Sequence, residues 1–422
     1  MTSPSSELVP PSGESPSREP FFGWWIVGAT LVLQLLVIGP GLFAFGVLLD
    51  PIAQSLNVGR GPAAIVGSMV LVVGGLLAPL AGALTGKIPI RRLMYAGVLM
   101  LALGFALVTT SQSIWMIYLG WGVFVAIATV VVGPLQCAAL VCNWFVRLRG
   151  RALGISQLGM VAAGAIIPLA VSWLLLNYGW RTATGVLATV PALLLVPLIW
   201  YFGVEHPEDR GQHPDGDPQP APSETDGGEE ASFGQALRDR RFWLLAASLV
   251  GGWLAFTSVA IIFISHATDS GLSAGQAALA FAILNASGAV GTFLFGTLSD
   301  YAPMRVLIAL ALVLISVGVL GMGGAESKTV LVLAGVVFGL GGGALMPLQT
   351  VSLGALFGAP AVAGMIGLIS LLFLPFNMLG APVSGYIYDT SGSYEQAFWL
   401  ILGVCAASMV SLMFLRLPEH RV

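Results

Sequence analysis

The sequence predicts an all-α polytopic membrane protein of twelve spanning helices arranged as two six-helix halves. Three observations carry the prediction: the composition, the number of apolar runs and an internal repeat. Of the 422 residues, 57% are hydrophobic and only 9% charged, where an ordinary soluble domain carries about 25% charged residues. Mean hydropathy is +0.91. These values exclude a soluble globular domain, and with it intrinsic disorder, collagen and a disulfide-rich secreted scaffold. Inside a bilayer the backbone must satisfy its own polar groups. The apolar runs are continuous rather than the short alternating segments of a barrel, so they are helices.

A span needs roughly 20 apolar residues, because about 30 Å of hydrocarbon is crossed at 1.5 Å per residue. In chain order the spans fall near 23–49, 62–85, 92–110, 114–141, 150–175 and 182–203, then 242–266, 275–299, 304–322, 329–355, 361–387 and 396–415. Residues 1–20, rich in Ser, Pro and Glu, read as a disordered tail. The run that starts at Phe21 is long enough to stay as a helix rather than leave as a signal peptide. The first six spans make an N-terminal bundle over 21–203 and the last six a C-terminal bundle over 241–416. Between them lies 204–240, containing HPEDRGQHPDGDPQPAPSETDGGEE, whose Pro, Gly and acids cannot bury a core and read as a disordered linker. Residues 417–422 form a short tail.

Charge orients the chain, since cytoplasmic loops collect Lys and Arg. With both termini in the cytoplasm, only Arg60, Arg181 and Lys328 of the 17 basic residues fall outside. The expected location is the cytoplasmic (inner) membrane. The net charge of −3 and the lack of a basic stripe exclude a nucleic-acid partner; the partners expected are the lipid bilayer and a small-molecule substrate.

The two halves repeat. GALTGKIPIRRL at 82–93 aligns with GTLSDYAPMRVL at 296–307, an offset of 214, and Pro134-Leu135-Gln136 recurs as Pro347-Leu348-Gln349 at an offset of 213. Near-equal offsets at two places indicate duplicated bundles. Such repeats place a solute site at the interface of the halves near the midplane, reached alternately from either side.

The loop after the second span, with Gly82, Lys87, Arg91 and Arg92, and its second copy, with Gly296, Asp300 and Arg305, resemble the Gly-x-x-x-Asp-Arg-x-Gly-Arg-Arg signature of the major facilitator superfamily. The first copy departs from it: Gly86 stands where the acid belongs and Pro89 where the second glycine does. Gly23-Trp24-Trp25, Asn143-Trp144-Phe145, Arg149-Gly150-Arg151-Ala152-Leu153-Gly154 and Tyr178-Gly179-Trp180-Arg181 narrow the resemblance to the monocarboxylate and oxalate–formate-like branch, as do Asp269-Ser270-Gly271-Leu272-Ser273, Gly380-Ala381-Pro382 and Gly385-Tyr386-Ile387-Tyr388-Asp389. The fold of that superfamily, a transporter function by alternating access and a monomeric state are what the resemblance implies. It also implies a latch built on Gly82, Arg91, Arg92, Gly296, Asp300 and Arg305. Glycine lets two helices approach closely, and Asp300 is the surviving acid, expected to pair with basic side chains.

The resemblance further implies that the first, fourth, seventh and tenth helices line the cavity. Polar residues within spans face the interior rather than lipid, so the substrate-binding candidates are Gln34, Gln136, Thr257 and Gln349 on those helices, with Asn285, Thr292 and Asn377 on their neighbours. Gln136 and Gln349 read equally as symmetric packing residues, and Asn285 and Asn377 as interhelical hydrogen-bonders. All are neutral. Every Asp and Glu falls in a loop, a tail or at a helix end, and no Lys or Arg sits at mid-span. The arginine that the branch commonly carries in the eighth helix is replaced by Thr292, and the lysine late in the first helix by Phe43. The carboxylate clamp of the branch is therefore not carried over, and a desolvated anion would rest on neutral donors at a cost. His266, at the outer end of the seventh span, is the one titratable group near the cavity; it reads first as a mouth residue or solvated loop histidine, with a coupling or gating role as the alternative.

No cofactor or metal motif is present. Cys137, Cys142 and Cys405 lie in apolar runs and read as small buried hydrophobes. Gly339-Leu340-Gly341-Gly342-Gly343 lacks the Lys-Ser/Thr of a phosphate loop. An enzyme is excluded, as no nucleophile has a base beside it and no acids pair within the spans. The leading function is transport of a small organic solute, most simply a monocarboxylate or related acid. Export of an amphipathic compound or small peptide is the alternative within transport, and a membrane sensor on the same fold is the alternative outside it.

Overall fold

The computed structural model describes residues 21–58, 60–85, 87–217, 233–325, 327–358, 361–391 and 393–415. The tails expected at 1–20 and 417–422 lie outside the described residues, as does most of the distal linker.

Among the described residues the helical elements group, in order, into twelve long segments. Helix α1 (23–55) is built of Gly23–Ile38, a π-helical turn Gly39–Phe43 and Ala44–Ser55. The π turn sits at Pro40, which has no N–H to give the helical ladder. Next come α2 (Arg60–Leu84) and α3 (Ile90–Thr109). Helix α4 (114–144) contains a second π segment, Tyr118–Val125, and breaks at Gly133 (φ −70°, ψ −150°) before Pro134–Trp144. A residue that precedes proline is pushed out of the helical region, which explains the break. Helices α5 (149–178) and α6 (180–202) form one run interrupted only at Gly179. Its φ of +80° is a left-handed value open to glycine, and it supplies the reversal.

The second half runs α7 (Arg240–Asp269), α8 (Ala274–Leu298), α9 (Met304–Gly323), α10 (Lys328–Phe357), α11 (Val362–Ser391) and α12 (Glu395–Phe414). Three of its helices start on side-chain caps. Asp239 accepts from the Arg241 amide, Ser273 forms a capping box with Gln276, and Ser327 accepts from Val330. A continuous apolar core fills both halves, from Ile26 and Trp121 to Phe338 and Cys405. Large apolar side chains such as Leu176, Leu193, Trp200 and Trp399 stay exposed on the outer faces, as a lipid-facing surface requires.

One expectation is corrected. Residues 204–217 are not disordered but dock beneath the N-terminal half. The Val204 carbonyl accepts from Trp144 Nε1 at 2.8 Å, and Gln212 Oε1 accepts from the Phe22 amide at 3.0 Å. Two short 3-10 turns, Pro207–Arg210 and Pro214–Gly216, shape the segment. The chain has too few apolar groups here for a core of its own, and is ordered by hydrogen bonds to the bundle above it.

Candidate functional site between the two halves

The halves meet through small residues at the end of the molecule that carries the linker. Gly82 of α2 approaches α11 so closely that an added Cβ would stand 2.6 Å from Ala363 O and 2.6 Å from Gly364 Cα. Gly296 of α8 approaches α5 in the same way, 2.7 Å from Gly154 Cα and 2.9 Å from Gly150 O. The offset of 214 that relates Gly82 to Gly296 also relates Gly150 to Gly364, so the two contacts are pseudosymmetric copies of one backbone-to-backbone seal.

Asp300, just beyond α8, completes the seal. Its carboxylate accepts from the amides of Gly150 (2.6 Å) and Arg151 (2.9 Å) at the start of α5. The first amides of a helix have no partner within it and carry its positive dipole end. The contact is thus a carboxylate on a helix N-terminus, not the acid–base side-chain pair expected of a latch. Burial in this contact pushes the Asp300 carboxyl up to about 6, against the amides of Arg151 and Gly150, which favour the ionised form. Arg149, beside it, donates through Nε to Phe145 O at 3.1 Å and lays its guanidinium against Gly354 near the C-terminal end of α10.

The other latch candidates are not brought together. Arg305 donates to Met413 O within its own half. Arg91 lies near the Tyr95 ring, and neither Arg91 nor Arg92 has a carboxylate partner among the described residues.

Three of the substrate-binding candidates turn out to tie helices within one half. Gln34 Nε2 donates to Ser156 O and Oγ, both at 2.9 Å, and Ser156 Oγ donates on to Thr30. Gln136 Oε1 accepts from Thr85 at 3.0 Å, and Gln349 Oε1 accepts from Trp253 Nε1 at 2.8 Å. All three glutamines are buried. In a low-dielectric interior an amide bonds to the neighbouring helix because an unpaired polar group there is costly. Thr292 likewise bonds within its own half. It is 3% exposed, and its hydroxyl donates to Gly288 O (3.0 Å) and Gly343 O (2.9 Å), joining α8 to α10. Thr292→Val is expected to lower stability by roughly 0.5–1.5 kcal/mol and to leave solute affinity unchanged, as read by melting temperature and ligand titration.

Thr257 spends its hydroxyl on Trp253 O and Leu254 O. His266 bonds Met322 O at 3.0 Å and packs edge-on against Phe398 and Tyr394. All of these contacts are within the C-terminal half. The side chain of Asn377 lies outside the described residues.

Asn285 is placed differently. It precedes Thr292 by two turns and Gly296 by three on the same stripe of α8, yet it is exposed while they are buried. At 1.5 Å per residue it stands about 16 Å from the Gly296 seal, near the middle of α8. Its Nδ2 donates to Phe281 O, leaving further polar capacity on the carboxamide. The stripe that closes on α5 at the linker end is therefore open at mid-span. Composition gave no sign of Gly150, Gly364 or Arg149 as seal residues, although the repeat offset picks out the two glycines.

Comparison with known proteins agrees with this geometry. The Major Facilitator Superfamily profile matches residues 31–330 and 259–422. Monocarboxylate transporter 11 of Homo sapiens is 27% identical over 416 residues, 94% of this chain and 83% of that protein. Monocarboxylate transporter 13 of Rattus norvegicus is 27% identical over 386 residues, 89% of this chain and 85% of that one. Among solved structures, the human organic anion transporter MFSD10 (TETRAN) superposes with a TM-score of 0.70 at 19% identity, covering 94% of this chain and 100% of that chain. The E. coli fucose:proton symporter FucP (N162A) gives 0.64 at 18%, covering 93% and 99%. At these identities the solved structures speak to the fold alone. The chain belongs to the Major Facilitator Superfamily, and is a multi-pass membrane solute transporter of the monocarboxylate-transporter-like branch.

Proposed function

We propose that the chain carries a small organic acid, most simply a monocarboxylate, across the cytoplasmic membrane by alternating access, as a monomer with both termini inside. The observation that carries the mechanism is the α5–α8 stripe, sealed at Gly150, Gly154, Gly296 and Asp300 and exposed at Asn285. Rocking the halves would break the seal and expose the same mid-span surface to the linker side. Similarity to the monocarboxylate transporters supports the cargo class.

Asn285 and Thr257 of α7 are the proposed contacts; Gln34, Gln136, Gln349 and Thr292 serve as framework. No ionised side chain sits at mid-span, so an acid is held by neutral hydrogen bonds and apolar wall. Uptake of radiolabelled lactate, oxalate and related acids into proteoliposomes tests the proposal. Saturable uptake of an acid that weakens in Asn285→Ala supports it. Indifference to the whole acid panel, with transport of amides or apolar amphiphiles instead, replaces the cargo class and favours the exporter reading.

A further inference from the structure

The start of α5 is gripped by two carboxylates from different parts of the chain. Asp300 of the C-terminal half holds the amides of Gly150 and Arg151. Asp215 of the docked linker holds the three amides just before them: Val146 at 3.0 Å, Arg147 at 2.7 Å and Leu148 at 3.1 Å. Five amides within six consecutive residues are divided between strap and latch.

The strap is held down firmly on its approach to this point. Trp144 and Phe22 bond its Val204 and Gln212. The Arg210 guanidinium stacks 3.7 Å over the Phe22 ring. Beyond Asp215, Arg147 pairs with Asp217 at 3.1 Å. Asp215 itself sits at φ +60°, next to Gly216 at +74°, a tight left-handed bend that turns its carboxylate onto three successive N–H groups; Asp adopts that region more readily than most residues.

We infer that the linker is a working part of the gate: Asp215 is a positioning residue that fixes the α4–α5 connection so that the Gly150 and Arg151 amides meet Asp300 when the halves close. The inference rests on the reading of Asp300 as the latch. Physically, a helix N-terminus accepts an anion well only if its amides are already aimed at it. Residues 146–148 join a broken α4 to α5, and their amides have no helical ladder to hold them; the Asp215 bonds supply that order. The two carboxylates are also like charges, and Asp215 raises the proton affinity of Asp300. The other charged groups around them are Arg147, Arg149 and Arg151 on the α4–α5 connection, Asp217 on the strap, and Arg305 beyond the α8–α9 turn.

The test uses the full-length protein in lipid nanodiscs, with spin labels at Lys87→Cys and Tyr301→Cys. Both are exposed positions on the linker face, in different halves, and the three native cysteines are buried. Interlabel distances then report closure of the linker-side gate. Asp215→Ala is expected to lower the closed-to-open ratio about tenfold, the scale of losing charge-assisted bonds. Asp215→Asn keeps an acceptor and removes the charge. It is expected to stay closed at neutral pH and to move the pH midpoint of closing downward, a shift that a passive tether would not produce. If Asp215→Ala keeps the wild-type distances while Asp300→Ala opens the gate, the strap is overturned and the latch stands. If neither variant opens it, the latch reading fails first and the inference with it. Should Asp215→Ala fold poorly, the Asp215→Asn pH profile decides: an unmoved midpoint overturns the inference.

Discussion

Gly82→Leu is expected to reduce transport by at least about tenfold while leaving the protein folded. The atoms an added Cβ meets are Ala363 O and Gly364 Cα, both at 2.6 Å. These are backbone atoms, so no rotamer change relieves the clash and α11 must move away. Overpacking of this kind costs about 1–3 kcal/mol, and 1.4 kcal/mol is a factor of ten in a population. The cost falls only on the state in which the halves touch at the linker end. The substituted protein escapes by populating the separated state, which is why little change in melting temperature is expected. Gly296→Leu, facing Gly154 Cα and Gly150 O, should behave alike, since the two sites are copies. Initial uptake rates alongside Lys87–Tyr301 label distances check both. A Gly82→Leu protein with normal uptake would remove the seal from the transport cycle.

Asp300→Ala is expected to open the same gate by a different route. Closing the halves would then strand the Gly150 and Arg151 amides without their acceptor. A buried donor left unpaired costs about 1–3 kcal/mol, so the closed population should fall by tenfold or more. The wild-type protein should also show a pH dependence that Asp300→Asn lacks. Burial in the closed gate raises the Asp300 carboxyl from its ordinary 3.8 to about 6, and separating the halves would return it to water. The closed state therefore binds the proton more tightly. Its advantage from this group is full below the ordinary value, shrinks as pH rises through about 6 and is flat above. Label distances recorded between pH 4 and 8 check the sign: closure that strengthens on going from pH 5 to 7 would contradict it.

Much of the architecture was legible from composition and repeat. The spans could be counted because bilayer thickness fixes helix length, and the 214-residue offset paired Gly82 with Gly296 correctly. Hydropathy did not show what neutral side chains bond to. Gln34, Gln136 and Gln349 sit on the helices expected to line a cavity, yet each amide bonds a neighbour within reach, here Ser156, Thr85 and Trp253, while Gln34 Oε1 and Gln136 Nε2 stay buried without a partner. Helical period gives the face of a residue, not its partner. Asp300 was found from the repeat, but its partners are backbone amides, which leave no trace in residue identity. The strap was missed for a related reason. A segment rich in Pro, Gly and acid cannot fold alone, and 204–217 does not; Asp215, Gln212 and Arg210 borrow order from the adjoining bundle.

The glutamine ties have a kinetic consequence. Gln34–Ser156, Gln136–Thr85 and Gln349–Trp253 each join helices of a single half, so none has to rupture as one half swings past the other. In the proposed rocking cycle the activation barrier to reorientation is concentrated where the halves would separate, at the glycine contacts and Asp300. Turnover speed and thermal endurance become separable properties of one molecule, the first set by the seam and the second by the interior of each half.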